Sequence, residues 1–249
     1  MYPVIHIGPA TIQTAFVALI AALWLGTTIA ERECKRRGLK SDDVWNIVMI
    51  VGAVTLVTAR LVYVGQNLPA YESDWTEIFS LTAGTLSLDY GAVFGLVAAY
   101  AYVQHRQIPR VRFADAFAPG ALAALAIFAF GQFLSGDAYG ATTHVPWAVD
   151  LYGEARHPVQ LYDAFAALMG LVIVWRLARR QRTDGLLALF ATAWYSAARV
   201  FIDAFRGDAA VLVGGYRMSQ VIALSVLLFA LGMMARLETR KDARIDFDH

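Results

Sequence analysis

The chain contains 249 residues, of which 58% are hydrophobic and 16% are charged, and its mean hydropathy is +0.51. A soluble domain carries about 25% charged residues, so the composition excludes an ordinary soluble domain. The net charge of +1 gives no electrostatic basis for binding nucleic acid, and the single cysteine excludes a disulfide framework and a cysteine-based metal site. The composition instead predicts an integral membrane protein, organised as a single domain over residues 1–249.

Seven stretches of the chain are long and apolar enough to cross a membrane, which requires roughly 20 mostly apolar residues. They lie at about 10–30, 44–65, 84–104, 116–136, 158–177, 185–205 and 218–235. The predicted fold class is therefore an all-α polytopic membrane protein with seven transmembrane helices.

The connections between the spans alternate in charge. The segments 31–43, 104–112 and 176–184, together with the tail from residue 236, hold 16 Lys and Arg residues, whereas the opposite connections hold three. Because basic residues are retained on the cytoplasmic side, this asymmetry predicts that the N-terminus lies outside and the C-terminus lies in the cytoplasm.

Polar side chains within the spans gather near the outer ends, and the sequence places nothing comparable in the cytoplasmic half. Such residues are costly in lipid and mark candidate functional sites. They are Arg60, Asp89, Tyr90, Gln132, Ser135, Asp137, His157, Gln160, Asp163, Arg199, Asp203, Arg206 and Arg217. We therefore expect a polar site in the outer half of the bilayer.

The spacing of Arg199, Asp203 and Arg206 (i, i+4, i+7) predicts that the three share one helical face. Two interpretations remain open. The face is either a structural ladder of ion pairs or an anion site in which Asp203 orients an arginine fork toward phosphate. With Arg60 at the same depth, an excess of positive charge favours an anionic ligand such as a phospholipid head group. His157 has a similar ambiguity, because it could cap a helix or contact a ligand.

Several motifs resemble those of the prolipoprotein diacylglyceryl transferase family. His157-Pro-Val-Gln-Leu-Tyr-Asp163 resembles the family's His-Pro-Ser-Gln-Leu-Tyr-Glu, and Arg199-Val-Phe-Ile-Asp-Ala-Phe-Arg206 is similar to its Arg-Phe-x-x-Glu-Phe-x-Arg. Further similar motifs, in the family's order, are Ile7-Gly-Pro9, Thr58-Ala-Arg60-Leu-Val-Tyr-Val64 and Met218-Ser-Gln220. The resemblance extends from about residue 5 to 236, and the family shares the seven-span topology.

The resemblance implies transfer of the diacylglyceryl group of phosphatidylglycerol to the lipobox cysteine of a lipoprotein precursor, without metal or cofactor. The implied partners are an anionic phosphatidylglycerol-like phospholipid, the precursor's signal peptide and the membrane, with no nucleic acid. The implied location is the bacterial cytoplasmic (inner) membrane, where the chain would be a multi-pass protein.

The resemblance also implies roles for individual residues. The predicted catalytic residues are Tyr90, Arg199 and Asp203. The predicted substrate-binding residues are Arg60, Gln132, Ser135, His157, Gln160, Arg206 and Arg217. The sequence departs from the family where Tyr90 replaces a histidine and Ala129 replaces an arginine. A second hypothesis is therefore a catalytically altered or inactive family member that binds lipid as a partner in lipoprotein or lipid handling.

Overall fold

The computed structural model describes residues 3–7, 10–72, 74–80, 84–179, 183–208, 210–212 and 215–247. The described residues form the helices α1 (Thr14–Arg36), α2 (Asp42–Gln66), α3 (Leu88–His105), α4 (Arg110–Ser135), α5 (Val159–Ala178), α6 (Leu186–Ile202) and α7 (Met218–Phe247). Short 3₁₀ helices lie at Leu68–Tyr71, Trp75–Phe79 and Asp203–Phe205. Gly8 and Pro9 of the Ile-Gly-Pro motif lie outside the described residues.

The fold is not wholly helical, because it contains two short antiparallel hairpins. Strands β1 (Val4–Ile7) and β2 (Ala10–Gln13) pair with Val4 opposite Gln13, and β3 (Val149–Leu151) and β4 (Glu154–Arg156) pair with Val149 opposite Arg156. The second hairpin turns through Tyr152 and Gly153, which have φ values of 58° and 79°. Positive φ at both positions is the geometry of a two-residue hairpin turn. The first hairpin uses residues predicted to begin the first span, so α1 begins later, at Thr14.

Each predicted span coincides with one of the helices, and the chain is a helical, multi-pass membrane protein. Among the described residues, six helices are long and apolar enough to cross a membrane. The helix outside this set is α3, which has 18 residues and is thus about 27 Å long at 1.5 Å per residue. The last helix extends to Phe247, well beyond the predicted end of its span at residue 235.

The bundle is organised around α4, which packs against α1, α5 and α6. On one side α1 also contacts α2, and α2 packs along α3; on the other side α7 packs against α6. The helices α1 and α4 approach each other closely where Gly26 meets Gly120. A Cβ atom added to Gly26 would lie 2.7 Å from the Gly120 carbonyl oxygen and 2.8 Å from the Ala124 Cβ. Small residues at this crossing allow the two backbones to come together, as is common in membrane bundles.

One end of the bundle, which we call the hairpin end, carries the β3–β4 hairpin and a backbone layer built onto it. Gly140 forms a bridge with Arg206, and Thr142 forms a bridge with Arg156 of β4. The Ala141 amide donates to the Phe205 carbonyl at 2.7 Å, and the His157 amide donates to Ala141 at 3.0 Å. These hydrogen bonds join the segments that follow α4 and α6 to the segment that precedes α5, directly over the ends of these three helices.

We call the opposite end of the bundle the basic end. It also contains a buried polar group, so the expectation that such groups gather only at the hairpin end is wrong. Asp115, on the first turns of α4, is 1% exposed and accepts hydrogen bonds at 2.8 Å from the backbone amides of Gly185 and Ala188. It thereby caps the N-terminus of α6 from a neighbouring helix, which satisfies amides that the helix itself leaves unpaired. Arg37 lies 3.7 Å from the same carboxylate. A sequence pattern does not reveal a cap supplied by a distant segment.

Candidate active site

The central feature of the hairpin end is Arg199, which bridges two buried carboxylates. Its Nη1 donates to Asp163 Oδ2 of α5 at 3.0 Å, and its Nη2 lies 2.7 Å from Asp203 Oδ1. The carboxylate side chains are 5% and 0% exposed, compared with 23% for the arginine. Tyr195, one turn earlier on α6, also interacts with the guanidinium. We refer to Asp163, Tyr195, Arg199 and Asp203 as the arginine cluster.

The prediction that Arg199, Asp203 and Arg206 share one helical face is wrong for Arg206. The α-helix ends at Ile202, residues 203–205 form a 3₁₀ turn, and Arg206 is extended with φ −73° and ψ 136°. Its guanidinium therefore leaves the helical path and binds Asp208, with Nε to Oδ1 at 2.9 Å and Nη2 to Oδ2 at 2.6 Å. Arg206 still lies near enough to Asp163 to interact electrostatically.

The expected excess of positive charge is also absent from the described residues of this site. Arg199, Arg206 and Arg217 are accompanied by Asp163, Asp203 and Asp208, so acidic and basic groups are equal in number. Among the described residues, two carboxylate oxygens are nevertheless buried without any polar partner, namely Asp163 Oδ1 and Asp203 Oδ2, while Asp203 Oδ1 faces Arg199. Unsatisfied buried acceptors are rare in folded proteins, and here they lie together beside one arginine. The cluster can therefore accept hydrogen bonds from a further donor.

Four of the predicted binding residues lie at the same end of the bundle as the cluster, where α4 ends and α5 begins. The Gln160 side chain, 2% exposed, donates to the Asp137 carbonyl at 2.7 Å, and the Ser135 hydroxyl lies 2.7 Å from the Asp137 carboxylate. The Ser135 hydroxyl also lies 3.1 Å from the Gln132 carbonyl oxygen. The His157 ring packs against Phe205, with 4.9 Å between the ring centroids. The structure thus brings these four residues to the same end as the arginine cluster.

Arg60 is buried, but its contacts are with the loop that follows α2. Its guanidinium donates to the carbonyl oxygens of Ile78 (2.8 Å), Thr85 (3.0 Å) and Glu77 (2.5 Å). The rings of Tyr63 and Tyr71 lie 5.9 and 5.4 Å from the guanidinium carbon. These contacts hold the loop onto the bundle, and a substrate-binding role for Arg60 stays a prediction.

The structure does not bring Tyr90 together with Arg199 and Asp203. Tyr90 is 54% exposed in the first turn of α3. That helix packs on α2, whereas α6 packs on α4, α5 and α7. Arg217 does lie beside the arginine cluster, since its Nη1 donates to the Ala204 carbonyl at 2.8 Å. The predicted catalytic set is therefore divided between two sides of the bundle.

An apolar cleft between α4 and α6 leads to the arginine cluster. Its volume is about 390 Å³, and its lining extends from Ala114 to Leu125 on α4 and from Ala188 to Ser196 on α6. At 1.5 Å per residue the α4 portion is about 17 Å long. Exposed side chains at Ala114, Ala121 and Thr192 open the cleft to the outer surface of the bundle. Tyr195 and Ser196 line the end of the cleft that is nearer the hairpin end, and they connect the cleft to Arg199.

Asp163 is the functional candidate that the predicted site residues omit. It is the last residue of the His-Pro-Val-Gln-Leu-Tyr-Asp motif and lies one turn after Gln160, on the same helical face. That spacing is the signal for an inward-facing carboxylate, but only the packing of α5 against α6 shows its pairing with Arg199. The described residues contain no group of three or more His, Cys, Asp or Glu side chains that could hold a metal ion.

Comparison with known proteins connects this site to a family. The sequence model of one protein family, described as "Prolipoprotein diacylglyceryl transferase", matches residues 3–236. The chain belongs to this family. A phosphatidylglycerol–prolipoprotein diacylglyceryl transferase of Clostridioides difficile (strain 630) is 33% identical over 84% of this chain and 84% of its own length. Proteins of the same name from Streptococcus pyogenes serotype M3 and Streptococcus agalactiae serotype Ia are 28% and 29% identical, over 96% and 98% of this chain and 95% and 97% of their own lengths. The motifs noted in the sequence thus belong to a similarity that covers nearly the whole chain.

Proposed function

We propose that the protein transfers the diacylglyceryl group of phosphatidylglycerol to the cysteine thiol of a prolipoprotein. The observation that carries the proposal is that an apolar cleft ends at the arginine cluster. The chain that holds this arrangement belongs to the transferase family. A diacylglycerol lipid needs such a combination, because its acyl chains require an apolar surface and its phosphate requires cationic donors.

The lipid phosphate is best placed at Arg206, with an acyl chain in the cleft. Arg206 already binds Asp208 through two parallel nitrogen–oxygen contacts, which is the bidentate arrangement that guanidinium also makes with phosphate. Phosphate would replace Asp208 in this arrangement. Arg217, which reaches the same turn through the Ala204 carbonyl, would supply a second cation beside it.

The transfer forms one bond and breaks one bond at the glycerol carbon. The cysteine sulfur attacks this carbon, the carbon–oxygen bond to the phosphate breaks, and glycerol phosphate leaves. A thiol, with an ordinary pKa near 8.5, must first lose its proton. Asp163 Oδ1 and Asp203 Oδ2, which have no polar partner among the described residues, would accept this proton beside Arg199, and the proton would end on the departing phosphate. Arg206 would stabilise the negative charge that develops there.

The proposed arrangement reassigns the proton acceptor from Tyr90 to the carboxylates of the arginine cluster. Arg199 and Asp203 keep their predicted catalytic roles, with Asp163 added. Gln132, Ser135, His157 and Gln160 would bind substrate or order the backbone around it. Ser135 and Gln160 are buried next to Asp137, and the half-buried His157 packs against Phe205, which supports a role in shaping the site.

We further propose that the chain is one domain with seven spans in the bacterial inner membrane, with the basic end in the cytoplasm. The excess of Lys and Arg at that end supports this orientation. Trp147→Cys at the hairpin end and Lys35→Cys at the basic end test it, because both side chains are exposed and the native Cys34 is buried. A membrane-impermeant maleimide applied to intact spheroplasts should label residue 147 alone. Labelling of residue 35 alone would reverse the orientation.

The transferase proposal is tested with purified protein in phosphatidylglycerol vesicles and a synthetic signal peptide that contains a lipobox cysteine. We expect glycerol phosphate release together with a peptide mass increase of one diacylglyceryl group, and no product from a peptide with serine at the cysteine position. Arg206→Gln should remove most turnover, whereas Arg176→Gln, an exposed arginine at the basic end, should not. Lipid binding without release would overturn the proposal and favour a lipid-binding partner.

A further inference from the structure

A second cavity lies at the basic end, at the opposite end of the bundle from the arginine cluster. Its volume is about 390 Å³ and its lining is mostly polar. We call it the basic-end pocket, and its lining residues are Gly38, Leu39, Lys40, Asp43, Arg106, Gln107, Ile108, Pro109, Arg112 and Phe113. The volume is within the range of small-molecule sites. The transfer reaction proposed above makes no use of this cavity.

The charge of the basic-end pocket is positive. Lys40, Arg106 and Arg112 contribute three cations, and Asp43 contributes the one carboxylate. That carboxylate is already occupied, because Asp43 Oδ1 accepts from the Tyr102 hydroxyl at 2.8 Å and from Arg106 Nε at 3.3 Å. Two positive charges therefore remain without an acidic side chain in the lining.

Several nitrogen donors of Lys40, Arg106 and Arg112 have no hydrogen-bond partner among the described residues. Lys40 has no partner among the described residues, and Arg106 has one partner there, at Nε. Arg112 donates through Nη2 to the Arg37 carbonyl at 3.0 Å, and its Nε lies 3.9 Å from Asp184. Each of the three side chains thus keeps nitrogen donors for a ligand in the cavity.

The N-terminus of α4 adds to the positive potential of the basic-end pocket, whereas the first turn of α2 already carries the carboxylates of Asp42 and Asp43. Arg112 lies in the first turn of α4. Long helices carry a partial positive charge at this end, which favours an anion. Basic residues are common at a cytoplasmic membrane surface, but here they line a cavity together with this helix end instead of forming a flat face.

From this geometry we propose that the basic-end pocket binds a phosphate-bearing group, either the head group of an anionic phospholipid or a soluble phosphate compound. Phosphate matches the donors because lysine and arginine both form charge-assisted hydrogen bonds with its oxygens. The site is separate from the one at which the lipid substrate reacts, and its existence does not depend on the transferase activity.

The experiment measures binding of two probes to the purified full-length chain by microscale thermophoresis. The probes are dihexanoyl phosphatidic acid, kept below its micelle concentration, and inorganic phosphate. The pocket variant is Lys40→Gln combined with Arg112→Gln. The matched control is Arg32→Gln combined with Arg176→Gln, which removes the same charge from exposed positions at the same end and outside the lining.

We expect the pocket variant to bind phosphatidic acid at least about tenfold more weakly than the control, since two charge-assisted donors are lost. If inorganic phosphate binds wild type poorly, the ligand is a lipid head group; if it binds comparably and shows the same loss, the ligand is a soluble phosphate compound. Lys40→Gln alone preserves every described contact and should show part of the loss. Equal binding by the pocket variant and the control, or no binding of either probe to wild type, would overturn the proposal.

Discussion

Replacing Arg199 separates its structural contribution from its proposed catalytic one. The guanidinium is the shared ion-pair partner of Asp163 and Asp203, at 3.0 and 2.7 Å. Arg199→Gln keeps much of the side-chain length but leaves two buried carboxylates without their cation. Removing one partner of a buried ion pair costs about 3–5 kcal/mol, and we expect a loss of this size in the free energy of unfolding.

Neutralising one of the two carboxylates should recover part of the free energy of unfolding that Arg199→Gln loses. In the double variant Arg199→Gln, Asp163→Asn, one buried charge is removed, so the unfolding free energy should recover by about 1–3 kcal/mol, the usual range for coupled neighbours. The measurement is equilibrium unfolding in mixed micelles with increasing SDS, followed by circular dichroism. The matched control is the pair Arg156 and Glu154, whose acid is 53% exposed and whose coupling should stay below about 1 kcal/mol.

Activity should not follow stability in these variants. If Arg199 and Asp163 act on the substrate as proposed, the double variant regains stability and still fails to release glycerol phosphate. Additive losses, in which Asp163→Asn destabilises Arg199→Gln as much as it destabilises wild type, would show that the two charges are not coupled and would refute the reasoning. Recovery of both stability and turnover would show that the cluster is structural.

Three further predictions concern individual positions. Tyr90→Phe should keep turnover within about twofold of wild type, because its ring is half exposed on α3 and away from the arginine cluster; a loss of a hundredfold would return Tyr90 to the catalytic set. Asp208→Asn should lower the KM for phosphatidylglycerol in mixed micelles several-fold, since it weakens the contact that phosphate must replace; an unchanged KM would contradict the displacement. Gly26→Ala should lower the unfolding free energy by about 1–3 kcal/mol, because its Cβ would meet the α4 backbone at 2.7 Å, whereas Gly232→Ala, with open space around it, should leave stability nearly unchanged.

The helices of this fold could be predicted from the sequence because lipid imposes a simple rule. A crossing segment must satisfy its own backbone hydrogen bonds, so hydropathy alone located the apolar part of each helix, although α7 continues beyond its predicted span. The two hairpins could not be predicted in this way, because hydropathy does not indicate which residues pair as strands. Residues 10–13 are apolar enough to extend the first span, yet they pair with β1, and the β3–β4 hairpin lies outside the spans, where hydropathy carries no information.

The site was harder to predict because its geometry depends on where α6 ends. A regular helix through residue 206 would place Arg199 and Arg206 on one face around Asp203. The α-helix instead stops at Ile202, which directs Arg206 toward Asp208 and leaves Arg199 between Asp203 and the Asp163 carboxylate of another helix. Residue spacing describes contacts within one helix, and the decisive contact here joins two.

In the proposed mechanism, the charge of the site explains how a site without an excess of positive charge could accept an anionic lipid. With Asp208 in place, Arg199, Arg206 and Arg217 are matched by three carboxylates. A phosphodiester that replaces Asp208 at Arg206 carries the same single negative charge, so the exchange leaves the net charge around the arginines unchanged. The electrostatic cost of lipid entry is then mainly that of moving Asp208 into solvent, where its carboxylate is readily hydrated. Arg199 is not free to compete for the phosphate, because both of its outer nitrogens face carboxylates. The two arginines are thereby assigned different tasks, with Arg206 binding the leaving group and Arg199 holding the carboxylates that receive the thiol proton.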